Sequence, residues 1–223
     1  MNTKTIALLE TGAGPLTTRV AVGLQKIGLA MKKRAWQNKG GQGLAPLQAQ
    51  VLAFLRMRPD GSATVSMVAS ELAVTAPTAS EAVETLHQKR LVLKTRLASD
   101  RRVVKLRLSV SGMRKATASV GWPDFLAAAA DQLSPTEQVT LLRAIVKLIK
   151  AMQTRGDISM ARMCVTCRFF RPNVYENVER PHHCEFVNAP FGDRSLRLDC
   201  PEHQPASPAR ATQAWTVFTT PRS

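Results

Sequence analysis

The first 163 residues of the 223-residue chain contain no cysteine, and no apolar run approaches 18 residues. The second absence excludes a transmembrane helix, which needs about 20 consecutive apolar residues. The N-terminal MNTKTIALLETGAG has only IALL as an apolar run, too short for the core of a secretory signal. A cytoplasmic chain without a membrane partner is expected. Thiols stay reduced there, so clustered cysteines point to metal rather than disulfides. Acids are scarce too: 16 Asp and Glu stand against 31 Lys and Arg, a net charge of +15. The excess makes polyanions the leading partner class, nucleic acid before anionic membrane. There is no internal repeat, and an apolar fraction of 44% is enough for a core.

Apolar residues at helical spacing, Leu16, Val20, Leu24, Ile27 and Met31, predict an amphipathic helix over about 14–38. NKGGQG ends it, and Pro46 opens a second helix with Leu47, Val51, Leu52 and Leu55 inward. TVSMVASELAV and TAPTASEAVETLHQKR read as two further helices. LVLKTR and VVKLRLS then read as strands around a polar tip, LASDRR. Helix, turn, helix and two-stranded hairpin is the order of a winged helix, here with its wing over about 91–109. Later, Ser134, Pro135 and Glu137 form a capping-box signature for a helix ending at Gly156. Its face of Leu142, Ile145, Ile149 and Met152 is wide enough for a partner helix. Residues 160–203 carry the cysteines, and the residues from 204 to 223 lack a usable period and are expected to form a disordered tail.

The stretch ELAVTAPTASEAVETLHQKRLVLKTRLASDRRVVKLRLSVSG resembles the MarR family of winged-helix regulators. The matching pieces are LAV, PTAS and VETL on the helices, KRLV before the wing, SDRR at its tip, and Leu108, Ser109 and Gly112 after it. With the flanking helices the resemblance covers about 14–153. It implies a mainly α, α+β winged-helix fold over 1–153, dimerisation helices at about 14–38 and 111–153, an obligate homodimer, and a palindromic DNA operator. At the wing tip it implies that Asp100 holds its basic partner Arg102, an arginine that enters the minor groove, with Arg101 able to share that role. One position departs from the pattern. Arg90 stands where the family usually ends its recognition helix with glycine, and a left-handed stop costs a non-glycine residue roughly 1–2 kcal/mol.

Charge supports DNA independently of that resemblance. Between Lys89 and Lys115 there are ten basic residues, Arg90, Lys94, Arg96, Arg101 and Arg102 among them, against a single acid, Asp100. A merely solvated hairpin would mix signs. Thr75, Thr78 and Ser80 open the second helix, where hydroxyls and free N–H groups meet phosphates or base edges. Glu81 or His87 could read a base edge, or serve helix-surface pairing instead.

Cys164, Cys167, Cys184 and Cys200 then fall within 37 residues, as a C-x2-C pair followed by gaps of sixteen and fifteen. Four thiolates complete a four-coordinate site. The split second pair and the Cys200-Pro201 step favour an iron–sulfur cluster, 2Fe–2S or 4Fe–4S, over one structural zinc ion. Phe169, Phe170, Tyr175, Phe186 and Phe191 could shield it, and His183 or His203 could replace a cysteine. The segment has no strong hairpin pattern, so metal would supply much of its folding energy. The expected function is a DNA-binding transcription regulator, a repressor, tuned by the metal site. The alternative is the same reader with zinc and a small aromatic effector. A metalloenzyme is disfavoured, because four cysteines leave no open metal position.

Overall fold

The computed structural model describes residues 15–37, 43–58, 61–96, 103–119 and 124–220. Helix α1 spans Leu16–Gln37, α2 Pro46–Arg56, α3 Val65–Glu71 and α4 Ala76–Gln88. Strands β1, Val92–Arg96, and β2, Val104–Leu108, pair antiparallel with Val92 opposite Leu108. Three helices follow: α5 at Val110–Ser119, α6 at Asp124–Ala130 and α7 at Pro135–Arg155.

The winged helix closes around Val51, Leu52, Leu55, Val68, Ala79, Val83, Leu86, Val92 and Leu106, all essentially inaccessible to water. Local chemistry sets its helix ends. Thr64 caps α3 by accepting the Met67 N–H, and Thr75 caps α4 by accepting that of Thr78. Ala63 pairs with Leu106, so the segment before α3 lies along the wing. Ser109 serves two neighbours: its hydroxyl donates to the Arg90 carbonyl at 2.7 Å and accepts the Gly112 N–H at 2.9 Å. A Cβ at Gly112 would stand 1.9 Å from the Leu91 carbonyl oxygen, so α5 can leave the wing here only through glycine. That is the physical content of the Ser109-x-x-Gly112 signature.

Helix α4 ends in the left-handed turn expected at Arg90, whose φ is 57°. The Arg90 N–H donates to the His87 carbonyl at 2.8 Å and the Leu91 N–H to that of Leu86 at 2.9 Å, a Schellman stop built on arginine. Helix α7 has the expected capping box, with the Ser134 N–H donating to Glu137 at 2.9 Å, and ends at Gly156, φ 80°.

The C-terminal region corrects three expectations. Residues 160–203 do form a sheet, β3 (Phe170–Arg171), β4 (His182–Cys184) and β5 (Ala189–Phe191), antiparallel and in that order. The β4–β5 turn uses a left-handed Asn188, φ 50°. Part of the expected tail, residues 208–219, is helix α8, whose Phe218 is fully buried against Phe170, Trp215 and His182. Finally, Leu142 and Ile149 from the α7 face expected to meet a partner helix pack instead, together with Val146, on this module's own core of Met163, Val165, Phe170, Leu196 and Phe218. Helix α1 by contrast keeps Leu16, Val20, Leu24 and Ile27 at 70, 47, 45 and 43% exposure, an apolar face unpartnered among the described residues. Among the described residues no helix is long and apolar enough to cross a membrane.

Candidate nucleic-acid interface and four-cysteine cavity

The exposed side of α4 carries Thr78, Ser80, Glu81, Glu84, His87 and Gln88, while Ala79, Ala82, Val83 and Leu86 face the core. Thr75 and Thr78 are exposed at its start, their hydroxyls 2.8 Å apart. Beside it Arg90, Arg96 and Arg107 are exposed. Three other cations are engaged within the protein. Lys94 pairs with Glu84, and this hydrogen bond, with the lysine charge, holds the Glu84 carboxyl below its usual range. Lys89 donates to the Gly43 carbonyl at 2.7 Å, and Lys105 to that of Ser62 at 3.1 Å. His87 donates from Nδ1 to the Val92 carbonyl at 2.9 Å, which gives it a role in joining α4 to the wing. Asp100, Arg101 and Arg102 lie outside the described residues.

The second site is built by the C-terminal module. A 3-10 turn at Cys164–Thr166 brings Cys164 and Cys167 to one side, with the Cys167 N–H on the Cys164 carbonyl at 2.9 Å. Strand β4 delivers Cys184, and the Arg162 carbonyl fixes the Cys200 N–H at 2.9 Å. All four thiols are free, half-buried, and line one cavity of about 180 Å³. Its wall includes Phe169, Phe170, Phe186 and Phe191, four of the five aromatics expected there. Tyr175 is elsewhere, with its hydroxyl 2.9 Å from His183 Nδ1. His203 is occupied by the Thr166 hydroxyl at 2.9 Å, and neither histidine lines the cavity.

Arg197, which the sequence reading missed, faces two thiols: its backbone N–H donates to Cys164 Sγ at 3.3 Å and its guanidinium to Cys200 Sγ at 3.7 Å. Burial pushes the Cys164 thiol up to about 11, opposed by the Arg197 N–H and reinforced by the negative charge that Cys200, Cys167 and Cys184 would carry. Bringing four thiolates so close therefore requires compensating positive charge. Among the described residues, no group of three or more His, Cys, Asp or Glu side chains is placed to hold a metal ion.

His182 is fully buried beside the module core. It accepts the Asn173 N–H at Nδ1, so Nε2 carries the proton and donates to Asp193 at 2.9 Å. Asp193 also receives Arg143 of α7 at 2.7 Å.

Residues 42–103 match the sequence model of the MarR family. No curated protein matches the chain. Among solved structures, MepR of Staphylococcus aureus in a DNA-binding conformation is 23% identical, covers 60% of this chain and 98% of its own, and superposes with a TM-score of 0.54. The S. aureus MepR–DNA complex is 24% identical over 59% of this chain and 96% of its own, with a TM-score of 0.52. YusO of Bacillus subtilis is 27% identical over 61% and 96%, with a TM-score of 0.46. The chain therefore has a MarR-like winged-helix fold, and its match to the MarR family itself falls on residues 42–103.

Proposed function

We infer that this protein is a DNA-binding transcription regulator, acting as a homodimer, whose DNA affinity is tuned by an iron–sulfur cluster held by Cys164, Cys167, Cys184 and Cys200. For DNA, the support is an α4 surface of hydroxyls and amides flanked by exposed arginines, on a fold similar to that of a protein crystallised with DNA. For the dimer, the support is the unpartnered apolar face of α1. Repression is the expected consequence of a dimer occupying a promoter.

The observation that carries the metal reading is the shared four-thiol cavity. The split spacing of Cys184 and Cys200 and the Cys200-Pro201 step favour a cluster over one zinc ion, and N–H donors to the sulfurs, such as that of Arg197, are a recognised means of tuning one.

Anaerobic purification of the full chain with iron, sulfide and zinc assays tests this. Brown protein with iron and acid-labile sulfide supports the cluster; colourless protein with stoichiometric zinc replaces it by the zinc reading. The DNA half is tested by Arg102→Ala, expected to weaken specific duplex binding at least tenfold while leaving fold and dimer intact. Binding by the wild type that did not change between low and moderate salt would reject the phosphate contacts.

A further inference from the structure

Arg162 stands two residues before the first cysteine and belongs to both parts of the molecule. Its carbonyl accepts the Cys200 N–H at 2.9 Å, and its Nε donates to the carboxylate of Asp199, the neighbour of Cys200, at 2.5 Å. The far end of the same guanidinium donates from Nη2 to the Met57 carbonyl at 3.2 Å. Met57 is the C-terminal cap of α2, the helix whose Val51, Leu52, Phe54 and Leu55 lie in the winged-helix core. A cation on the last carbonyls of a helix is favourably placed against its dipole. The corner it touches is braced: Arg58 lies over the Phe54 ring at 4.0 Å and pairs with Glu71, the last residue of α3, at 3.8 Å. From α3 a short turn leads into α4. The side chain of Arg162 is only 19% exposed, so these contacts are partly shielded from solvent.

We propose that Arg162 is the link through which the four-cysteine site acts on the DNA-reading head, an inference that rests on the metal reading above. Cluster ligation fixes Cys200 relative to Cys164, Cys167 and Cys184. Cys200 then fixes Arg162 twice, through its own N–H and through Asp199, and the guanidinium is held on the Met57 carbonyl. Loss of the cluster frees Cys200, releases both restraints, and lets the α2–α3 corner settle independently. This route is separate from the Arg143–Asp193 contact, which joins the module to α7 and does not touch the winged helix. A ligand shifts such an equilibrium only by the difference in its affinity for the two states, so on this proposal the Arg162–Met57 contact must differ between them.

The test uses full-length protein and a duplex enriched from a random-sequence pool by the metal-loaded wild type. Affinity is measured with metal and after anaerobic chelation, for wild type, Arg162→Ala and Arg162→Lys. A single ammonium cannot span Asp199 and Met57 as the guanidinium fork does. Both variants should retain iron, while the several-fold affinity difference between wild-type states should shrink to less than twofold. Amide exchange at Met57 and Arg58 should rise on chelation in the wild type and be high in both states of the variants. If the variants keep the wild-type ratio, Arg162 is not the link although the sensing reading stands. If the wild type shows no difference between states, the sensing reading fails and this inference with it. If both variants lose the metal, Arg162 builds the site rather than reporting on it, and the proposal is overturned.

Discussion

Arg143 of α7 donates to Asp193 of the C-terminal module at 2.7 Å, and the same carboxylate oxygen receives His182. The arginine also donates to the Phe218 carbonyl at 2.5 Å and lies over the Phe218 ring at 4.2 Å. One side chain thus fastens both the cysteine sheet and α8 to a helix of the main fold. Burial alone would raise the Asp193 pKa, but the His182 hydrogen bond and the Arg143 charge outweigh it and hold it below the ordinary range. Arg143→Ala should cost about 2 kcal/mol, the scale of a charge-assisted hydrogen bond in a half-buried setting. Amide exchange in α8 should rise while that of α2 and α4 stays unchanged; a uniform change across the chain would contradict the local role.

The pH dependence follows from the direction of that shift. A depressed carboxyl contributes stability that is fully present above its unfolded pKa, about 3.9, and is lost as pH falls through the folded value. Docking of α8 should therefore weaken below about pH 4 in the wild type, whereas Asp193→Asn should show weaker docking at neutral pH and a flatter acid profile. Identical acid profiles for the two proteins would rule out Asp193 as the titrating group.

Arg90 is a trade between stability and charge. Its φ of 57° is one that glycine adopts without strain. Arg90→Gly should stabilise the fold by about 1 kcal/mol, read as a higher denaturant midpoint at unchanged slope. If the guanidinium meets a phosphate, the same variant should lower the salt slope of duplex binding by about one. Greater stability with an unchanged slope would leave Arg90 as a strained stop without a DNA contact.

The winged helix was legible because its residues repeat. Val83 and Leu86 on α4 and the alternation of Leu106 with Lys105 and Arg107 on β2 are patterns of period 3.6 and 2. The module was less so. Strands of two or three residues are too short to show alternation. Helix α8 buries only Ala214 and Phe218, one step of four, but Ser207 and Pro208 open it with the same Ser-Pro signal as Ser134 and Pro135, and that signal was available. Grouping of the cysteines followed from spacing; Arg197 did not, because a lone arginine in a basic chain carries no sign that its N–H will face sulfur.

The two apolar faces left by α1 and α7 have different fates. Leu24 on α1 is 45% exposed among the described residues, whereas Val146 on α7 is 1% exposed beneath the module. Leu24→Asp should yield monomers, since an unpaired charge cannot be buried in a dimer interface without several kcal/mol. Val146→Asp should instead unseat the module and leave assembly through α1. Light scattering and amide exchange separate these results, and a wild type that is monomeric at micromolar concentration would overturn the dimer.

Replacing each of the four cysteines by serine is the most informative series. A hydroxyl is a poor soft ligand and three thiolates leave an incomplete shell, so each variant should lose at least about nine-tenths of its metal. The winged helix should remain folded, because its core holds no cysteine. The module should also keep part of its structure, since Phe170, Phe218 and the buried His182 pack together without a thiol among them. That differs from a small zinc module that is unfolded without metal. Amide exchange in α8 should therefore rise only partly on substitution, while the Cys164–Cys167 turn and the Cys200 segment lose protection fully. Full metal retention by any two variants would reject the four-cysteine site. Metal loss from all four with duplex affinity unchanged would leave the site a structural part of the module, with no influence on DNA.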